Sequence, residues 1–185
     1  MRRGTNVALT REIPGLTQVV VAVRLATSEE VLARSLVVAA LLCDDGGTAL
    51  SDEHMVFFNQ MVAADRSVVR LDVRAAAPGV EEQVEVDLDR VPAEVSRVVF
   101  VAYVNGGTAQ RRTLSQLREA TVRVLSAADD AELVRSENLV PGFGSETGVV
   151  LCELYRHRGD WKFKVVGQGY DDGIVGMAAD HGVTL

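Results

Sequence analysis

The stretch RVVFVAYV, residues 97–104, decides the fold. Valine, phenylalanine and tyrosine fit a pleated surface better than a helix, and a run this short is the length of a strand. Its two alternating sets, Val98, Phe100, Ala102 and Val99, Val101, Tyr103, are both apolar. A strand of that kind needs cover on each face. Residues 36–43 (LVVAALLC) repeat the pattern. Together they predict central strands of a β-sandwich, with short helices laid over part of it.

Other strand-like runs surround this pair. Residues 18–25 (QVVVAVRL), 55–58, 67–73, 83–88, 121–125, 147–155 and 161–166 are short, valine-rich and bounded by turn residues. Turn signals fall at 45–47 (DGG), 77–79 (APG), 105–107 (NGG) and 158–160 (RGD). Two helices are expected. One covers 114–120 after a Thr113 cap, and one covers 174–180 after Asp172, ending at Gly182. Without repeats, low-complexity segments or a linker, residues 1–185 are expected to form one mostly β domain.

Composition narrows the function. The formal net charge of −7 on 185 residues argues against nucleic acid as the main partner, because phosphate binding needs clustered Lys and Arg. Cys43 and Cys152 sit inside apolar runs, far apart and outside any CxxC, so they are expected to be buried free thiols in a reducing cytoplasm. The N-terminal residues are too polar for a signal-peptide core, and the longest apolar run is too short to span a bilayer.

Motifs of familiar chemistry fail on detail. GQGYDDGIVG at 167–176 follows a strand and precedes a helix, but its glycine spacing is wrong for a dinucleotide loop. Too little chain follows to add a second strand, and Asp171 and Asp172 would oppose a phosphate. GFGSETG at 142–148 is not a nucleophile elbow. His54, His157 and His181 are scattered, with no local metal spacing, and nothing in the sequence suggests a Ser-His-Asp set. Asp44-Asp45-Gly46-Gly47 suits a two-residue hairpin turn better than a calcium loop. Asp72, Glu81 and Glu82 flank an apolar loop and could converge on a cation, although three carboxylates leave half of a calcium shell unfilled. Arg156, His157, Arg158 and Lys162 gather round one hairpin tip, a candidate docking patch for an acidic surface.

The order of motifs resembles a known family. NVALTREIPGLT at 6–17, DEHMVFFNQ at 52–60, VEVDLDRVPAEVSRVVFVA at 84–102 and ELYRHRGDWKFKVVGQGYDDGIVGMAADHGV at 153–183 are similar to segments of the TerD family of tellurium-resistance and stress proteins. The resemblance implies a β-sandwich with short helices, no enzymatic activity, and calcium binding by the best-known members. It also implies where ligands would lie, and there this chain departs. The positions matching an acidic stretch before 40–43 are Ala33, Ser35 and Val37. The long acidic loop is represented by residues 72–82, where Asp72, Glu81 and Glu82 are the carboxylates that remain. An aspartate after the 98–104 strand is replaced by Asn105 or Gly106, while Glu146 and Glu153 are kept.

The expectation is a non-enzymatic, TerD-like stress-response protein that binds a protein partner, with other Ter-type proteins as candidates, and that has lost high-affinity calcium binding. The alternative is a weak calcium sensor using Asp72, Glu81 and Glu82.

Overall fold

The computed structural model describes residues 1–71, 80–106 and 111–184. Parts of three features expected from the sequence lie outside these: residues 72–73 of a strand, the 77–79 turn, and residue 107 of the 105–107 turn. Among the described residues the strands, in chain order, are β1 (Asn6–Ala8), β2 (Gln18–Ala26), β3 (Leu36–Cys43), β4 (Met55–Val56), β5 (Val68–Leu71), β6 (Val80–Asp87), β7 (Arg97–Val104), β8 (Glu119–Ser126), β9 (Glu132–Arg135), β10 (Gly148–His157) and β11 (Asp160–Tyr170). They form two antiparallel sheets. One, sheet A, has the order β1-β11-β10-β7-β3-β4, and the other, sheet B, has the order β5-β6-β2-β8-β9.

The two-sided pattern of the opening stretch has two destinations. Val98, Phe100 and Ala102 enter the core between the sheets, where they join Val38, Ala40 and Leu42 of β3. Sheet B supplies Val19, Val21, Val23 and Leu25 from β2, with Val122 and Val124 from β8. Val99, Val101 and Tyr103 face the other way and pack with Ala39, Leu41 and Met177 in a second cluster. Met177 belongs to helix α3 (Ile174–His181), whose numbering follows two short helices, α1 (Leu9–Glu12) and α2 (Glu30–Ser35). Burying one such large side chain is worth about 1.5–3 kcal/mol, so the doubly covered strands β3 and β7 anchor both layers.

The strands fall where the sequence reading puts them, but several ends differ: β4 stops at Val56 and not at 58, and β11 runs on to Tyr170 through residues read as a turn. The helix expected over 114–120 is a single 3-10 turn, Leu114–Gln116, and Glu119 already belongs to β8. The Thr113–Gln116 capping box does form. The turn stops because residues 119–126 pair in register with β2, which sends Ala120 and Val122 into the core. Tertiary pairing overrides local propensity here. The strands β1 and β9 and the helices α1 and α2 are too short for periodicity to show. The 44–47 turn has three loop residues, not two: Asp44 N–H bonds the Thr48 carbonyl, and Gly47 turns at φ +86°.

Helix α3 ends at Gly182 in the left-handed conformation, as expected. It is tied to β11 by the Tyr170 hydroxyl, which donates to Asp180 Oδ2 at 2.8 Å. Burial, and next that carboxylate, push the phenol up from 10.0 to about 12. The fold therefore favours the neutral phenol. Its contribution to stability is whole below about pH 10 and is lost as pH rises through about 12. Chemical denaturation across that window should show a loss that Tyr170→Phe makes smaller.

The β10–β11 hairpin closes on the His157–Asp160 pair, with Arg158 and Gly159 at φ +54° and +87°. Both values are those of a type I′ turn, which suits glycine and asparagine but not arginine. Arg158→Asn should raise the unfolding free energy by about 1 kcal/mol, measured by denaturant titration.

Candidate functional site

The acidic residues proposed for a cation do not come together. Asp72 lies outside the described residues. Glu81 and Glu82 are neighbours on β6 and therefore point to opposite faces of sheet B. The expectation that they converge is corrected by that alternation. Glu81 lies on the outer face, accepting from Arg123 at 2.8 Å and from Gln83 at 3.2 Å, with Arg24 at 3.9 Å. Glu82 lies on the core side, gripped by the Arg70 fork through Nε at 2.7 Å and Nη2 at 2.8 Å. The Arg70 and Glu82 side chains are only 18% and 13% exposed. They sit in a pocket of about 220 Å³ with Arg34, Val37, Phe58 and Asn105.

These residues do not fit calcium. The ion needs six to eight oxygens, and Glu81 and Glu82 are each already neutralised by a guanidinium. Val37 offers no side-chain oxygen, Ser35 Oγ donates to the Val31 carbonyl, and Ala33 and Ser35 stand on α2 and not on a strand beside the loop. Among the described residues, no group of three or more His, Cys, Asp or Glu is placed to hold a metal. Glu146 accepts from the Gly144 N–H, and Glu153 lies between Arg97 at 3.5 Å and Lys164 at 3.7 Å.

The basic hairpin cluster also divides. Arg156 donates to the Val91 carbonyl at 2.5 Å and lies 4.9 Å from the Trp161 ring centre. Trp161 in turn donates to the Leu88 carbonyl at 3.2 Å, so Arg156 is a latch over the core and not a free tip. His157 and Arg158 are exposed. Lys162 points to the outer face of sheet A, opposite to Trp161. There the strand register sets Arg97, Tyr155, Lys162 and Ala8 in one row, with Val99, Glu153, Lys164 and Asn6 in the next. Burial, and next Glu153, push the Tyr155 phenol up. Helix α3 covers the other half of this face. The sequence reading missed Arg97, Tyr155 and Lys164. The signal was the i, i+2 spacing of 153/155 and 162/164 on two strands of one hairpin.

The glycine motifs serve packing. Gly142 and Gly167, one from each motif, leave room for Arg3: a Cβ would collide with its guanidinium in one case and meet its Nε at 2.7 Å in the other. Arg3 donates to the Leu139 carbonyl at 2.6 Å. Cys43 and Cys152 are buried and free, and burial pushes the Cys43 thiol up to about 12.

One constellation is present that the sequence did not suggest. Ser51 Oγ lies 2.8 Å from His54 Nδ1, and Asp65 Oδ2 lies 3.8 Å from His54 Nε2. The second gap is too long for a hydrogen bond, so the imidazole lacks the carboxylate contact that orients the base of a catalytic triad. Ser51 instead flanks the 3-10 turn Asp52–His54, as a cap residue does.

The architecture is that of a two-sheet sandwich with one outer face half covered by a helix, and known proteins share it. A crystal structure of a homologue of telluride resistance protein (TerD) from Streptomyces coelicolor A3(2) superposes with a TM-score of 0.67 at 21% identity, over 89% of this chain and 96% of that one. The TerD domain model matches residues 1–181. General stress protein 16U of Bacillus subtilis (strain 168) is 33% identical over 100% of this chain and 97% of its own length. Tellurium resistance protein TerD of Serratia marcescens is 31% identical over 99% and 96%. The chain belongs to the TerD family of tellurium-resistance and stress proteins. Among the described residues, no helix is long and apolar enough to cross a membrane.

Removing half of the Arg70–Glu82 pair strands a largely buried guanidinium. Glu82→Gln should lower the unfolding free energy by about 2 kcal/mol. Arg70→Met combined with Glu82→Leu should recover most of that loss, as read by urea denaturation.

Proposed function

We propose that this TerD-family chain is a non-enzymatic stress-response protein that acts by binding a protein partner and has lost high-affinity calcium binding. The observation that carries the calcium part is the Arg70–Glu82 fork. A resident guanidinium satisfies the carboxylate that a divalent ion would need, and dehydration of the ion would have little to offset it. The partner-binding part is supported by the exposed Arg158 at the β10–β11 tip, a cation set on a protein whose overall charge is negative. Relatives include tellurium resistance protein TerA of an Alcaligenes species, 29% identical over 71% of this chain and 35% of its own length, and other Ter-type proteins are the first candidates for the partner.

A weak calcium sensor is the competing reading, and a melting experiment separates the two. A ligand at about 100 times its dissociation constant adds about 2.7 kcal/mol, a rise of several degrees in a domain of this size. Millimolar calcium and chelator should give the same melting temperature. A calcium-dependent rise of several degrees would establish the sensor instead. For the partner surface, His157→Ala with Arg158→Ala leaves the Arg156 latch in place. Pull-downs with candidate Ter-type proteins should lose a partner that the unaltered chain retains, and identical recoveries would remove the hairpin tip from consideration.

A further inference from the structure

The free edge of sheet A lies beside an open seam of the sandwich. Among the described residues, β1 is the terminal strand of this sheet, with β11 as its one neighbour. Val165 N–H bonds the Thr5 carbonyl at 3.1 Å, and in an antiparallel pair the bonded residues alternate. Val7 therefore bonds β11, while the N–H and C=O of Asn6 and the N–H of Ala8 point away from it, along an edge that no strand of the described residues pairs.

Two different surfaces flank that edge. On the core side, a groove of about 680 Å³ separates β1 from β9, the terminal strand of sheet B among the described residues. Its apolar lining comes from Met1, Val7, Leu133 and Val134, with Arg2 and Arg135 at the rim. Met1 forms part of its wall: its ammonium donates to the Arg135 carbonyl at 2.6 Å, and its carbonyl accepts from Glu137 N–H at 2.7 Å. On the outer side, Asn6 and Ala8 stand directly opposite Lys164 and Lys162. Lys162 and Arg2 have no ion-pair partner among the described residues, and Lys164 shares Glu153 with Arg97.

We propose that the β1 edge takes an extended, acidic segment of a partner protein as an added strand. Strands alternate their side chains, so one set would enter the apolar groove and the other would lie on the lysine face. The added strand would run ~10 Å from β11, two strand spacings away. Only the short side chains of Asn6 and Ala8 intervene, so the lysines reach across to carboxylates. Charge complementarity selects the acidic occupant: Arg2 at the groove rim and Lys162 on the opposite face are cations without an ion-pair partner among the described residues, whereas Arg135 is already held by Glu132. The proposal rests on the reading of the chain as a partner-binding module but uses a surface distinct from the hairpin tip.

The test uses the full chain and fluorescein-labelled peptides of alternating Glu and Val, alternating Lys and Val, and the Glu–Val sequence with a central proline. Anisotropy should show the Glu–Val peptide binding about ten-fold tighter than the other two. Lys162→Glu should weaken it by about ten-fold. Asn6→Pro, which deletes an outward N–H without touching the bonds of Val7, should do the same. Lys162→Ala provides a milder version, and melting curves confirm that each variant is folded. In NMR spectra the Asn6 and Ala8 amides should shift and gain exchange protection on binding. Equal binding of Glu–Val and Lys–Val peptides, no binding at millimolar peptide, or binding indifferent to Asn6→Pro would overturn the proposal. Binding to phosphatidylglycerol vesicles without binding to the peptide would overturn it too. A partner lost through His157→Ala with Arg158→Ala but retained by Lys162→Glu and Asn6→Pro supports the hairpin surface and overturns this one.

Discussion

The structure depends on strands that cannot tolerate water on either side. β3 and β7 lie next to each other inside sheet A, and neither face of them carries enough polar atoms to be solvated. One face is met by sheet B across the shared core. The other needs a lid, and α3 supplies it through Met177 and Ala178. The lid is shorter than the sheet. Where it ends, Glu153, Tyr155, Lys162 and Lys164 replace valine, and the outer face becomes a charged surface. The charged patch is thus the remainder left by an incomplete cover.

Much of this was legible because it was written in repeated pairs of residues. The doubly apolar runs at 36–43 and 97–104 have the same boundaries in the structure as in the sequence reading, and Gly182 ends the last helix where a left-handed residue was expected. Segments of three or four residues were not legible. β1, β9 and α1 owe their form to neighbours far away in the chain, as when Met1 binds the Arg135 carbonyl. The stretch at 114–120 shows the same dependence from the other side. Its capping box is a true local signal, but pairing with β2 claims the residues that would have continued the helix.

The candidate site was legible as composition and illegible as geometry. Asp72, Glu81 and Glu82 form a plausible acidic set until strand alternation sends two of them to opposite faces. Arg70, which satisfies Glu82, lies twelve residues earlier, on the far side of the loop, and nothing local marks it as a counter-ion. Arg156 likewise looked like one basic residue among four, yet stacking on Trp161 withdraws it from the surface. In each case the missing information was which face a side chain takes, a property of pairing and not of residue type.

The outer face of sheet B has a consequence of another kind. Glu119, Arg24, Glu81, Arg123, Glu132 and Arg135 contact one another in a continuous series, three acids alternating with three bases. Such a series nearly cancels its own field a short distance into solvent, whereas the lysine rows on the opposite side of the sandwich do not. The molecule is therefore electrically lopsided in a way that its net charge conceals. An anionic body diffusing toward it feels a torque as well as an overall repulsion, and that torque turns the lysine face forward. Raising the ionic strength shortens the reach of both effects, so the speed of encounter reports which face leads.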